Sequence, residues 1–407
     1  MEAALVDAGK LAWDTPVTKL LPSFALGDAD MTSKLLLWHT ACACTGMPRR
    51  DLELIFDYVH VTPEQRIASM STMKPTTGFG ETFQYSNLMV AAGGYAAAHV
   101  YDPKRSFNDA YGEAMNATVF GPVGMKSTTF DFAAVRRADH ATPHSESIDG
   151  TVQIVPPPAE ESITPVRPAG ASWSNLKDMG RYVQTEMAKG VTPEGKRVIS
   201  EANLLERRKP RVRSGETESY GLGLGVGTFR DLPVVQHNGG VFGFITMMFM
   251  LPEQGVAIIS LTNSSGGGSF NGAVHRKVIE EVFEGAKPLA QPRVEFFYKT
   301  KHDEIAKTME RVTREPDAKW VSALVGDYSN ASLGKLKITA GPKGGTLDVG
   351  DWKGAIGQKR DVDGTVKVVL LDGPMAGFEF LPGGDPARPT LTVLDDQVTY
   401  VFERAGK

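Results

Sequence analysis

Two cysteines among 407 residues are too few for a disulfide-stapled scaffold or a cysteine-rich metal module. Cys42 and Cys44 stand one residue apart. That suits neither a metal knuckle with two-residue spacing nor a long disulfide loop, so both are expected as buried or reduced thiols. No apolar run approaches the roughly 18 uninterrupted residues of a membrane helix, so no membrane span is expected. The opening Met1-Glu2-Ala3-Ala4-Leu5 lacks the basic start and apolar core of a signal peptide. Such a chain stays in the cytoplasm if Met1 is its authentic start and can be exported if upstream sequence is missing. Positive charge is in slight deficit: 44 Lys and Arg against 48 Asp and Glu give a net charge of −4. With no basic stripe interleaved with aromatics, nucleic acid is not an expected partner.

Several catalytic signatures are missing too. No Gly-x-Ser-x-Gly occurs, since Gly267-Gly268-Ser269-Phe270 runs on into Asn271, which argues against a strand–nucleophile–helix elbow. Gly221-Leu222-Gly223-Leu224-Gly225-Val226-Gly227 misses the dinucleotide frame, and His140 and His144 flank Pro143 instead of forming His-Glu-x-x-His. No metal and no cofactor are therefore assigned.

What remains is an ordinary globular composition, 41% hydrophobic and 23% charged, in a chain too long for one compact core. Helical patterns dominate the first part. Met1–Leu11 puts Ala4, Leu5, Ala8 and Leu11 on one stripe, Leu88–His99 is rich in Ala and Gly, and Ala171–Lys189 follows a Ser172/Ser174 cap. Leu222–Phe229, Val234–Gln236, Phe244–Leu251 and Val256–Thr262 then read as strands, with a helix from Ala273 to Phe283 over them. Residues 291–319 are charged and carry one helical pattern, Asp303–Arg314, as expected of a linker. From Ala323 onward about eight short β-like runs alternate with Gly, Asp and Pro turns, the pattern of a small up-and-down barrel. The expected organisation is a domain over 1–290, a linker over 291–319 and a β-barrel over 320–407.

Two places present polar groups where chemistry is usually mounted. Tyr85-Ser86-Asn87 lies between the Gly78–Thr82 turn and the Ala-rich helix, at a loop-to-helix junction. His237-Asn238-Gly239-Gly240 follows one strand and precedes another, with glycines that let a ligand approach the backbone. Taken singly, each also fits a packed tyrosine with an asparagine cap, or a glycine-rich hairpin with an incidental histidine.

Taken in order, these segments resemble the serine β-lactamase-like family, in its class C β-lactamase, D-alanyl-D-alanine carboxypeptidase and esterase branch. Leu5–Leu11 with Asp14–Pro22 is similar to that family's "VxxGKLxLDDPVxKyLP", and Leu36–Thr40 with Thr45-Gly46-Met47 to its "LLxHTSGL". Then come Tyr85-Ser86-Asn87 as Tyr-x-Asn, Gly121-Pro122-Val123-Gly124-Met125, Pro168-Ala169-Gly170, Tyr220-Gly221-Leu222-Gly223, and His237-Asn238-Gly239 as Lys/His-x-Gly. The resemblance runs from residue 1 to about 285. It implies an α/β (α+β) fold, an antiparallel sheet flanked by helices, N-terminally truncated here, with a lipocalin-like all-β barrel appended.

The resemblance also implies roles. Tyr85 and His237 take the catalytic places, with Tyr85 relaying protons if neighbouring cationic charge stabilises its phenolate. Asn87 holds the substrate amide, and Gly239 and Gly240 line the substrate strand, Gly240 offering an oxyanion amide. His237 in place of lysine favours ester, amide or D-amino-acid peptide substrates over β-lactams, because a neutral imidazole attracts a carboxylate less than an ammonium does. Ser71-Thr72-Met73-Lys74 matches the family's Ser-x-x-Lys pattern, but the polar, glycine-rich stretch after it is no buried helix, so Ser71 is not expected to be the nucleophile. The implied partners are a small-molecule ester, amide or D-amino-acid peptide and further copies of the chain in a homo-oligomer. The rival reading is a non-catalytic ligand-binding or regulatory protein.

Overall fold

A computed structural model describes residues 1–56, 58–283, 288–385, 388–395 and 397–405. The chain opens in α1 (Glu2–Asp7), which buries Ala3 and Leu5. The Ala- and Gly-rich stretch becomes α2 (Asn87–Tyr101), buried almost throughout from Leu88 to Ala98. Its small side chains let neighbours reach the helix backbone: a Cβ on Gly93 would run into the Thr40 hydroxyl, and one on Gly94 into the Pro168 ring. Ser86, not Asn87, caps this helix by accepting from the Met89 amide. That releases the Asn87 side chain for other contacts. Helix α3 (Leu176–Met187) is capped by Asn175, whose side chain accepts from the Asp178 amide at 2.9 Å. The expected Ser174 instead shares a 2.8 Å hydrogen bond with Thr128.

A short hairpin, β1 (His144–Glu146) and β2 (Val152–Ile154), precedes the main sheet. That sheet is a six-stranded antiparallel meander in sequence order: β3 (Val212–Arg213), β4 (Glu218–Tyr220), β5 (Gly225–Phe229), β6 (Leu232–Val241), β7 (Phe244–Leu251) and β8 (Val256–Thr262). Neighbouring residues of a strand point to opposite faces. Accordingly Val235 and Met250 pack with Val183 of α3, whereas Val234 and Leu251 pack with Ile279 of α4 (Gly268–Val282). The sheet is thus covered by helices on both faces.

The stretch expected as a linker holds more structure than a linker needs. Helix α5 (Ala290–Met309) starts well before the Asp303 predicted and packs on α4, and β9 (Val312–Thr313) pairs with a barrel strand. After α6 (Ala318–Leu324) the chain forms β10 (Gly326–Asn330), β11 (Gly334–Gly341), β12 (Gly344–Asp348), β13 (Lys353–Arg360), β14 (Val366–Leu370), β15 (Glu379–Asp385), β16 (Arg388–Asp395) and β17 (Val398–Arg404). Each pairs antiparallel with the next, and β17 pairs with β10, so the eight strands close into a barrel. Its interior is filled by Leu336, Ile338, Leu347, Ile356, Val368, Phe380, Leu391 and Phe402, all nearly solvent-free. Leu52, Phe56 and Tyr58, from the N-terminal unit, belong to the same core.

One expectation is corrected here. Cys42 and Cys44 are buried as predicted but are not reduced thiols, because a disulfide joins them. Ala43 takes a left-handed φ of +53° between them, which brings the two Cα atoms to 5.1 Å, within bridging range. A one-residue spacing had argued against a bridge only because the turn at Ala43 was not legible.

Candidate active site

Tyr85 sits in the last residues before α2, Tyr220 ends β4 and His237 lies on β6. Folding of the β4–β5–β6 meander pairs Tyr220 with Gly225 and Gly225 with Gln236, which delivers Tyr220 beside His237. The Tyr220 hydroxyl and His237 Nε2 are 2.8 Å apart, and His237 Nδ1 lies 2.6 Å from the Asn238 carbonyl. One arrangement of protons satisfies both contacts: Nδ1–H donates to the carbonyl, and Nε2 accepts from the phenol. The Tyr85 ring lies 6.3 Å from the His237 ring and 6.2 Å from Tyr220, centroid to centroid. Tyr85 and His237, some 150 residues apart in sequence, are thus brought together around Tyr220.

Charge around this cluster comes from a loop that sequence patterns did not single out. The Arg49 guanidinium stands 5.3 Å over the Tyr85 ring, Arg49 and Asp51 form an ion pair, and Asp51 Oδ1 accepts from Asn87 Nδ2 at 3.0 Å. Burial pushes the Tyr85 phenol above its usual range, Arg49 works against that shift and Asp51 reinforces it. Burial likewise raises Tyr220 and lowers His237, whose bond to the Asn238 carbonyl opposes the shift only in part. At neutral pH both phenols are protonated and the imidazole is uncharged.

Gly239 and Gly240 pair with Thr246 and Ile245 of β7. On the other side β5 begins only at Gly225, opposite Gln236, so among the described residues the edge of β6 from 237 to 241 carries no strand partner there. A Cβ on Gly239 would sit 2.5 Å from the Thr246 hydroxyl. A larger residue at 239 would thus displace the Thr246 side chain.

Three Ser-x-x-Lys spacings occur in the sequence: Ser71–Lys74, Ser174–Lys177 and Ser332–Lys335. Ser71 is exposed on a one-turn helix and donates to the Ala68 carbonyl, Ser174 is bonded to Thr128, and Ser332 lies in an exposed turn between β10 and β11. Ser86, the serine next to Tyr85, is engaged in capping α2. Among the described residues no group of three or more His, Cys, Asp or Glu is placed to hold a metal ion, and no helix is long and apolar enough to cross a membrane.

Of these groups, sequence reasoning missed Arg49, Asp51 and the role of Tyr220. Tyr220 was visible as the head of Tyr-Gly-Leu-Gly, and counting across the meander would have set it beside His237. Nothing in the spacing of Arg49 and Asp51 connects them with residues 85–87.

A helix-flanked antiparallel sheet followed by a closed barrel, with a Tyr-x-Asn and a His-x-Gly segment in its N-terminal unit, agrees with a β-lactamase-like fold. Residues 1–282 match the Beta-lactamase family, and the chain belongs to that family. It is similar to the unguisins hydrolase ungD' of Aspergillus campestris, 24% identical over 279 residues, which are 66% of this chain and 51% of that protein. The match thus spans about half the length of that relative. The octameric penicillin-binding protein homologue from Pyrococcus abyssi superposes with a TM-score of 0.59 at 18% identity, covering 99% of this chain and 84% of that one. A D-stereospecific amidohydrolase from Streptomyces gives a TM-score of 0.54 at 21% identity, over 70% of this chain and 83% of that one. These structural likenesses establish the shared fold.

Proposed function

We propose that the cleft between Tyr85-Ser86-Asn87 and the free edge of β6 is the substrate site of an acyl-transfer protein for a small ester, amide or D-amino-acid peptide. The observation that carries this is the convergence of Tyr85 and His237, with Tyr220 between them, on that edge. In this reading Tyr85, held protonated by burial, donates a hydrogen bond to the bound ester or amide, and the Gly240 backbone amide is offered to its carbonyl oxygen. Asn87 uses its amide nitrogen on Asp51, which leaves its oxygen to accept from a substrate N–H. His237, neutral and hydrogen-bonded on both nitrogens, orients Tyr220 and supplies no cation for a carboxylate. That balance favours amides and esters without a free carboxylate, in keeping with the amidohydrolase named among the structural neighbours.

Ser71 and Ser174 spend their hydroxyls on other partners, Ser332 lies in an exposed turn, and the Ser86 hydroxyl caps α2. The same reading therefore includes that the 407-residue polypeptide binds such substrates without forming an acyl-enzyme by itself, the ligand-binding alternative among the expectations. Self-association belongs to the proposal as well, given the octamer named for the Pyrococcus protein.

Binding is tested with D-alanine amide and D-alanine methyl ester, and with their L-forms, against chain carrying ¹³C-labelled histidine. The His237 resonance should move on addition of the D-compounds, and Asn87→Ala should weaken binding about tenfold, the loss of one good hydrogen bond. Shifts confined to residues away from β6 and Tyr85 would refute the assignment of the site.

A further inference from the structure

Between Pro48 and the helix Pro63–Ser69 the chain leaves the N-terminal unit, enters the barrel and returns. The two ends of this strap touch different things. At one end are Arg49 over the Tyr85 ring and Asp51 on the Asn87 amide. Directly after Asp51 begin the residues buried in the barrel core, Leu52 and Phe56, with Tyr58 beyond. Phe56 meets Trp352 edge-on at 5.2 Å, and Trp352 Nε1 donates to the Ile55 carbonyl at 2.9 Å. Asp351 accepts from the backbone amides of Tyr58 and Val59 at 2.8 and 3.1 Å, and the Tyr400 hydroxyl donates to Glu53 at 3.4 Å. A second bridge lies next to the site: Gln84, the residue before Tyr85, donates from Nε2 to Gln397 Oε1 at 2.9 Å, in the turn between β16 and β17.

From this arrangement we infer that Arg49 and Asp51 are positioning residues for Tyr85 and Asn87, and that the barrel keeps them in place by gripping residues 52–56, 58 and 59 of the strap. The inference rests on the reading that Tyr85 and Asn87 face substrate. Its physical basis is the lack of slack. Asp51 and Leu52 are consecutive, their Cα atoms ~3.8 Å apart, so a shift of the strap in the barrel is passed directly to the carboxylate on Asn87. The carboxylate in turn fixes which end of the Asn87 amide is the donor and which the acceptor. Among the described residues, the charged and titratable groups around Tyr85 are Arg49 and Asp51 from the strap, Tyr220 from β4, His237 from β6, and His39, which lines the same small pocket and is uncharged at neutral pH. Tyr220 and His237 are uncharged at neutral pH, so the strap sets the local field. With Phe56 in its core, the barrel serves the site as a holder of this segment.

The test is ¹⁹F NMR on the full chain carrying 3-fluorotyrosine, with the Tyr85 signal identified through Tyr85→Phe. Tyr328, buried in the barrel and donating to the Leu324 carbonyl, serves as an internal reference for barrel integrity. Arg49→Leu removes the cation and should move the Tyr85 titration to higher pH, whereas Arg49→Lys keeps it near the parent value. Trp352→Phe keeps a ring in the core but deletes the bond to Ile55. It should displace the Tyr85 signal in the same sense as Arg49→Leu while Tyr328 stays in place. If Trp352→Phe disturbs Tyr328, Asp351→Ala loosens the strap from outside the core and is held to the same expectation. An unmoved Tyr85 titration in Arg49→Leu overturns the role of Arg49, and a Tyr85 signal unaffected by loosening the strap overturns the role of the barrel. The readout needs neither ligand nor turnover, so failure of substrate binding and failure of this inference are separate outcomes.

Discussion

Among individual residues, two histidines show how burial decides protonation near Tyr85 and Tyr220. The Tyr220 hydroxyl stabilises neutral His237 by donating to Nε2. In Tyr220→Phe that donor is gone, so the His237 titration followed by NMR should rise toward the ordinary histidine value, with a stability loss of about 0.5–1.5 kcal/mol. His39 gives the clearer pH effect. Its ring is 8% exposed, accepts from the Leu36 amide at 3.0 Å, and is lowered to about 4, by burial first and by Arg211 second. A histidine depressed on folding is protonated more readily in the unfolded chain. Its contribution to stability is therefore complete above the unfolded value near 6.5 and declines as pH falls toward 4. Across that window the decline amounts to about 3 kcal/mol. Urea denaturation at pH 7 and pH 4.5 should show the loss in the parent chain and a flatter dependence in His39→Gln; equal slopes would remove His39 from the account.

Helices and strands differ in how far the sequence announced them. Phe244–Leu251 and Val256–Thr262 have the bounds predicted, because β-branched and apolar runs between turn residues leave a strand little latitude. The start of α5 was missed by 13 residues, since Gln291–Lys299 mixes charge and aromatics without a clean helical stripe and only Ala290 of the helix is buried. The central helix α2 was legible as a small-residue segment, and its tolerance to change follows from what its glycines touch. Gly94→Ala would drive a methyl into Pro168, with Tyr111 just behind it, and should destabilise by about 1–3 kcal/mol despite the gain in helix propensity. Gly180, in α3, has nothing within 4 Å of its Cβ position, so Gly180→Ala should stabilise by up to about 1 kcal/mol. The two variants, compared by thermal unfolding, separate propensity from packing. Two destabilised proteins would mean that α3 is more crowded than its surroundings show.

Over the whole molecule, the motif residues Tyr85, Asn87 and His237 could be proposed from sequence because their segments follow a family's order, although His237 lies within β6 and not after a strand ending at Gln236 as the sequence suggested. The closed barrel was legible from strand spacing alone. What joins them was not: Arg49, Asp51 and the insertion of Phe56 into the barrel depend on contacts across some 300 residues, such as Trp352 to Ile55, and no local pattern encodes those. The account treats the cleft as an acyl-transfer site whose nucleophile is not Ser71, exposed and bonded to the Ala68 carbonyl. A fluorophosphonate probe that reacts with activated serines, followed by peptide mapping of the 407-residue chain, addresses that point most directly. The account predicts no stoichiometric labelling of Ser71 and no difference between the parent and Ser71→Ala, whereas full labelling of Ser71 that vanishes in Ser71→Ala would contradict it.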